Sequence, residues 1–453
     1  MLWTIAQREF LDQFKSARFM IGLVLAVSVT LGIVLIATED YEQRLKDYNA
    51  APKALDIGWT HPKVFHRPSP FSVLAAGDEV RLGNRVDISY RFVPVRPVSY
   101  SFQTGQDPFQ AGQDPFSKPG MWSMDFVFVV KAILSLIVLF LMYDAVAGEN
   151  ERGTLPLVLS GSLGRAAFLT GKLIGGLIST FVMFALCAMI SALVMVQSPA
   201  VELDGEGVIR LLAIFGTGYL CLAAYCAVGL LISTVFRRSS SALLASILVW
   251  VIAVGLLPGL SIEFSRFISS LPSQVEVAER LTVARESIRE ELERVREERH
   301  RAFAQGRRPP REIRLRRHDL SVKSARLMWQ VNRDYLNRMS RQRRVALMPV
   351  ALSPSAALDV AAGALAGTDA VAIEHFMTGS RRLAEDFRQF IRLQITDSKN
   401  WSRDQMPAFH EPFESVSDAF GRVIGFLVAP LAFFVLCSLG AQLVFSRYEV
   451  RRE

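Results

Sequence analysis

Four cysteines occur in 453 residues, and Cys187, Cys221, Cys226 and Cys437 all fall inside long apolar runs. The polar segments between those runs hold none, which excludes a disulfide framework or a cysteine metal site there. Histidine is also scarce. His61, His66, His300, His318, His375 and His410 show no zinc-ligand spacing and are read as surface residues. Gly171-Lys172 is followed by Leu173 and lacks the earlier glycine of a phosphate-cradling loop. The chain is therefore not expected to bind or hydrolyse ATP itself. Gly-x-Ser-x-Gly, His-Glu-x-x-His and Cys-x-x-Cys are absent too, so serine-hydrolase, zinc-protease and dithiol chemistry are not indicated. The sequence predicts no cofactor on this chain and no enzyme activity.

What is present is apolar length. Hydrophobic residues make up 51% of the chain, with a mean hydropathy of +0.28, and the excess is segmental. Runs at 18–38, 123–143, 173–196, 210–234, 241–260 and 422–446 are each near the ~20 residues needed to cross a hydrocarbon core. Six spans place both termini on one side. Arg8, Lys15, Arg18, Arg152, Arg165, Lys172, Arg237, Arg238, Arg447, Arg451 and Arg452 share that side, which the positive-inside rule makes cytoplasmic. The opposite loop, 197–209, carries Glu202, Asp204 and Glu206 in its acidic stretch. A multi-pass protein of the bacterial inner membrane is expected. The first run has no small-x-small site after it and is not read as a signal peptide. The net charge of +8 is not interleaved with aromatics, so nucleic acid is not an expected partner.

Residues 1–17 alternate Leu2, Ile5, Phe10, Leu11 and Phe14 with polar groups, as an amphipathic helix on the inner membrane surface does. Segment 39–122 is an expected exterior domain, partly β from the alternation over 86–92, with Gly-Gln-Asp-Pro-Phe twice, at 105–109 and 112–116. Lys131 interrupts the second apolar run; its position permits snorkelling to the outer interface, and a substrate path or a partner helix is the alternative it could face. Gly171, Gly175 and Gly176 open the third run and permit close helix packing. Loop 235–240 and tail 447–453 are short and cytoplasmic.

Segment 261–421 is the largest exterior part. A charged helical stretch over 275–303 carries Leu281, Ile288, Leu292 and Val295 on a stripe, supported by Arg289/Glu293 and Glu290/Arg294 pairs. After the Gly-Pro-rich 306–310, a second stretch places Ala325, Met328, Asn332, Tyr335 and Met339 on one face. The two predict an antiparallel helical hairpin. Its tip holds Arg307, Arg308, Arg311, Arg314, Arg316 and Arg317, a basic surface suited to anionic lipid or glycan if it is more than a solvated end. Phe376, Phe387, Phe390 and Trp401 would form a small core beyond it.

The polar loop 144–172 joins the second and third spans. Asp144, Glu149 and Glu151 precede Gly153-Thr154, Thr154 can cap a short helix 155–160, and Pro156 fits its first turn. This loop, Gly148-Glu-Asn-Glu-Arg-Gly-Thr-Leu-Pro-Leu-Val-Leu-Ser160 with Arg165 and Gly171-Lys172, resembles the cytoplasmic loop of ABC-2 type permeases. Pro68-Ser-Pro-Phe-Ser-Val-Leu-Ala75, Asp125-Phe-Val-Phe-Val-Val130, Ser353-Pro-Ser-Ala-Ala357 and Leu365-Ala-Gly-Thr368 extend the likeness to the large-exterior-loop members, near the gliding-motility and copper-enzyme-maturation permeases. Gly161-Ser-Leu-Gly164 departs from the usual proline there, and Lys131 from an apolar residue.

The resemblance implies a mainly α, six-helix permease of the type V exporter kind, paired as a dimer, with ATP and Mg on a separate ATPase subunit. It also implies that Glu149, Glu151 and Arg152 contact that ATPase, that Thr154 caps the coupling helix, that Leu155 and Leu159 pack into its groove, and that Arg165 and Lys172 complete the motif. ATP-driven export is the leading expectation. A mechanotransmitter acting on an extracytoplasmic protein, and a membrane-anchored exterior scaffold, are the alternatives.

Overall fold

The computed structural model describes residues 2–50, 63–77, 79, 85–87, 124–156, 164–268, 272–347, 353–397, 407, 409 and 414–447. Helix α1 (Leu2–Phe14) turns at Lys15-Ser16 into α2 (Ala17–Ala50), which runs twelve residues past the expected end of the first span. Asp125 starts α3 by accepting the Phe128 N–H at 2.7 Å. Helix α3 runs through Phe126–Phe128, widens to a π-helix over Val129–Leu134 and tightens again over Ser135–Met142. A short helix, α4 (Ala147–Glu151), leads towards α5 (Arg165–Gln197). The Asp204 side chain caps α6 (Gly205–Val235). Helix α7 repeats the π insertion: Ser239–Trp250, π over Val251–Leu256, then Leu257–Ile268. Next come α8 (Gln274–Glu286), α9 (Arg289–Ala304), α10 (Arg311–Leu347), α11 (Pro354–Ala366), α12 (Ala370–Asp397) and α13 (Val416–Ser446).

The mainly α architecture expected from the sequence stands. Helix α6 is its axis, packed by α13, α11, α3, α5 and α7, and Cys221, Leu222, Tyr225 and Cys226 on it are at most 1% exposed. The outward faces of α2, α5, α7 and α13 leave large side chains such as Ile21, Ile36, Met189, Leu248 and Leu436 bare. An apolar belt of this kind is stable against lipid rather than water.

By length and composition seven helical stretches among the described residues are able to cross a membrane, where the sequence predicted six. The seventh covers α11 and much of α12. Helix α11 was expected in the exterior segment, yet it lies between α6 and α13 with nearly every side chain buried. Its sequence explains the fit: small alanines permit close approach, Ser353 caps it by accepting the Ala356 N–H at 3.3 Å, and Pro354 fills the first turn. Both π-helical turns border it. The Ser353 hydroxyl donates to the carbonyl of Ala253 at 2.7 Å, and the Trp250 indole crosses to the Ser135 hydroxyl at 3.0 Å. Such insertions free backbone carbonyls and re-aim side chains.

Three separated sequence motifs meet where α11 ends. The Ser69 hydroxyl donates to Ala366 O at 2.6 Å, and that of Thr368 to Ala75 O at 2.8 Å. Asp125 accepts from Ala76 N–H at 2.9 Å, and Val127 N–H donates to Leu74 O at 3.0 Å. Gly77 is left-handed (φ +52), and a Cβ there would stand 2.6 Å from Thr368 Oγ1. Only glycine fits this turn without displacing Thr368.

The described part of segment 39–122 holds little sheet. Strands β1 (Lys63–Phe65) and β2 (Arg85–Asp87) pair antiparallel with Val64 opposite Val86. Residues 88–92, both Gly-Gln-Asp-Pro-Phe copies and Trp401 lie outside the described residues. Helix α10 packs against both α8 and α9, as the expected hairpin requires, but the first arm breaks at Ser287-Ile288. Ile288 and Val295 are buried on it, and Arg289–Glu293 forms at 3.1 Å. Phe376, Phe387 and Phe390 are buried, Phe376 in a cluster with Val64, Leu383 and Ala384. Two histidines read as surface residues are not: His66 is buried against the Phe376 ring (centroids 5.1 Å apart), and His318 is 4% exposed.

Candidate functional site at the 144–165 loop

The three carboxylates of the loop reach three different neighbours. Asp144 pairs with Arg18 at the start of α2 at 2.6 Å, and the Arg18 guanidinium lies 5.2 Å from the Tyr143 ring centroid. Glu149, on α4, meets Lys172 of α5 at 2.7 Å, and Lys172 also holds Glu9 of α1 at 2.7 Å. Glu151 accepts the Ser239 N–H at the start of α7 at 3.3 Å. The Ser239 side chain first, and this N–H second, hold the exposed Glu151 carboxyl below its ordinary range by hydrogen bonding to it.

Three further bonds complete the mount. The Ser233 hydroxyl accepts from Val146 and Ala147 N–H at 2.9 and 3.0 Å, and the Asn150 amide donates to Arg237 O at 3.2 Å. The loop thus joins α2, α5, α6 and α7 at one end of the bundle.

Helix α1 is part of the same assembly. Its buried face is Ala6 and Gln13 beside Glu9, and it lies on the glycine-rich start of α5. A Cβ on Gly175 would stand 2.7 Å from Glu9 Cβ and 2.9 Å from Ala6 O, so the expected close packing is with α1. Leu2, Trp3, Leu11 and Phe14 remain exposed, as an interfacial helix requires.

This arrangement sorts the residues singled out from the sequence. Glu149 and Lys172 face each other inside the chain, and Lys172 is 4% exposed. Leu155, expected to enter a partner's groove, is fully buried in this chain's own core. Glu151, Arg152, Gly153, Thr154 and Pro156 are exposed. Arg152 Nε donates to Gly148 O at 3.0 Å, and the Thr154 hydroxyl to Glu149 O at 3.2 Å. Leu155 and Pro156 are helical, while the rest of the expected coupling helix, Leu159 included, lies outside the described residues. Gly153 supplies the left-handed turn (φ +70) ahead of it. Arg165 opens α5 and donates to Ser446 O of α13 at 2.6 Å.

Lys131 does not extend to an interface. Its Nζ stands 2.7 Å from both carboxylate oxygens of Asp359 on α11. Sequence reasoning missed Asp359, although an acid in an alanine-rich apolar stretch is the natural complement of a lysine in another. Glu9 and Arg18 were also missed as partners. Their position at the same membrane face as the loop was the available signal. The tip arginines Arg307, Arg308, Arg311, Arg314 and Arg316 are exposed and Arg317 half-buried. Among the described residues no group of three or more His, Cys, Asp or Glu could hold a metal ion.

Apolar spans around one axial helix, an interfacial first helix and a polar loop mounted on four helix ends define a multi-pass membrane protein with a braced polar loop at one end. Residues 3–292 match the family described as ABC-2 family transporter protein, and the chain belongs to that family. Residues 317–411 match a domain of unknown function, DUF3526. A curated relative, the probable ABC transporter permease protein NosY of Stutzerimonas stutzeri, is 51% identical over 43 residues, which is 10% of this chain and 16% of the relative. The chain is an ABC-2 permease-family membrane subunit.

Proposed function

We propose that this chain is the permease subunit of an ATP-driven exporter, and that a separate ABC ATPase carrying ATP and Mg docks on the exposed part of the 144–165 loop. The observation that carries this reading is the division of the loop into two faces. Asp144, Glu149 and Leu155 are fixed to the chain, while Glu151, Arg152, Thr154 and Pro156 project beside them. A push on that projection passes without slack to α2, α3, α5, α6 and α7, because each is bonded to the mount. A second permease copy completes the assembly, and the loop and both termini face the cytoplasm of a bacterial inner membrane.

The test is to purify the tagged protein with its neighbouring gene products. An ATPase that co-purifies with wild type and is lost from Arg152→Ala with Thr154→Ala supports docking. Retention by that variant refutes this face, and absence of any ATPase refutes the coupling itself.

A second reading, in which ATP turnover moves exterior helices without cargo, draws on the packing of α10 against the Leu257–Ile268 end of α7. Helix α10 has 37 residues, about 55 Å of rigid arm. Vesicles with an ATPase-dead partner separate the two. ATP-dependent passage of a candidate cargo favours export, whereas ATP-dependent hairpin movement by spin labels without passage favours mechanotransmission.

A further inference from the structure

Between α10 and α12, starting at His318 just past the last tip arginine, lies a cleft of about 690 Å³. Its walls are two helical stripes. Arg326 and Arg333 come from α10 and Arg381, Arg388 and Arg392 from α12, at the four- and seven-residue spacings that put side chains on one helix face. One carboxylate, Glu385, lines the same space, and it is already engaged by Arg381 at 3.1 Å. The cleft thus carries five guanidinium groups against one acid. Among the described residues no carboxylate forms an ion pair with Arg326, Arg333 or Arg392.

Two buried polar atoms at the cleft also lack partners. His318 is 4% exposed and its Nδ1 has no hydrogen bond, and neither has the buried Nε1 of Trp329. The Trp329 ring is held in place by Arg381, whose guanidinium lies 4.3 Å from its centroid. Burial, with Arg392 and Arg388 nearby, holds His318 below its ordinary pKa and therefore neutral, although Asp319 opposes this. A neutral imidazole can still donate one N–H. Like charges gathered without a counter-ion repel, and buried donors without acceptors are costly. Both conditions are relieved by one kind of occupant, an anion with several acceptor oxygens.

We propose that the α10–α12 cleft is a binding site for a phosphate-bearing ligand, with guanidinium forks on its oxygens and the Trp329 and His318 N–H groups as further donors. Phosphate fits better than a lone carboxylate because it presents three acceptor oxygens and up to two charges to planar, bidentate donors. The volume admits more than one phosphate group. Both walls lie largely within the DUF3526 match, 317–411, so this domain would carry a ligand site of its own. The site does not depend on ATPase docking.

The phosphate comes either from a soluble compound or from a lipid headgroup, and the probes separate them. Full-length protein in neutral detergent is titrated with inorganic pyrophosphate by calorimetry, and in parallel floated with neutral phosphatidylcholine vesicles with and without phosphatidic acid. The triple variant Arg326→Gln/Arg333→Gln/Arg392→Gln alters exposed side chains only, and the tip variant Arg307→Gln/Arg308→Gln is the control. Saturable pyrophosphate binding, weakened at least tenfold in the triple variant and unchanged at the tip, supports a soluble phosphate. Phosphatidic-acid-dependent flotation lost in the same variant, without pyrophosphate binding, supports a headgroup. Should the triple variant not melt as wild type does, single Arg392→Gln is read instead, with at least a threefold loss expected. Neither probe binding to wild type, or equal binding by wild type and cleft variants, overturns the proposal.

Discussion

Lys131 Nζ stands 2.7 Å from both oxygens of Asp359, across 228 positions of sequence. The pair ties the π-helical turn of α3 to α11, and it explains how two charges persist within an apolar bundle. The pair is part-buried, its side chains 19% and 39% exposed, so removing one partner and leaving the other uncompensated is expected to cost about 1–3 kcal/mol. Lys131→Met or Asp359→Leu alone is expected to lower the melting temperature in detergent by several degrees. The double variant is expected to recover most of that loss. Additive losses would show that the two residues act separately.

Lys172 sits between Glu9 and Glu149 at 2.7 Å from each. Lys172→Met would leave two carboxylates in one small space, so α1 is expected to leave α5 and become sensitive to protease. Glu9→Gln keeps the Glu149 pair and is expected to have a smaller effect. Limited proteolysis near Ser16 reads both, and an unchanged cleavage rate in Lys172→Met would count against this mount.

Leu155 and Arg152 separate stability from docking. Leu155 is fully buried, and Leu155→Ala is expected to cost about 2–5 kcal/mol of bundle stability. Arg152→Ala is expected to leave the melting temperature within about a degree of wild type, since surface changes rarely exceed ~0.5 kcal/mol, while reducing ATPase association. Thermal melting and pull-down on both variants check this. The reverse pattern would place the docking surface elsewhere.

Asp125 fastens the junction by accepting the N–H groups of Phe128 at 2.7 Å and Ala76 at 2.9 Å. Asp125→Leu would leave both donors without that partner, at a cost of about 1–3 kcal/mol. Asp125→Asn keeps an acceptor oxygen and is expected to lose less. Melting temperatures of the two variants check this, and a melting temperature for Asp125→Leu equal to that of wild type would remove Asp125 as the fastener.

Much of the bundle was legible because lipid makes a crude demand. A span needs about twenty apolar residues, and the six runs of that kind all appear in the structure as helices. The hairpin was legible for a similar reason, since the α8 to α10 stripes follow helical spacing. The break at Ser287-Ile288 was not, because no proline or glycine marks it. Helix α11 was not legible as part of the bundle because thirteen residues, most of them small, are too few for a span by themselves, and a buried half-length helix looks like the core of any exterior domain. The loop motif drew attention to the right thirty residues, but spacing along the chain does not say which side of a short helix faces inward.

The sequence by itself determined that this is a mainly helical, multi-pass ABC-2 family subunit, because apolar run length and a local motif are properties of contiguous residues. Only the tertiary structure decided what the charges do. Glu149 and Lys172 hold the loop in place, Lys131 serves α11 through Asp359, and five arginines on two distant helices share one cleft. Coulombic and hydrogen-bonding partners are selected by distance in space, over a few ångströms, and these partners stand far apart in sequence.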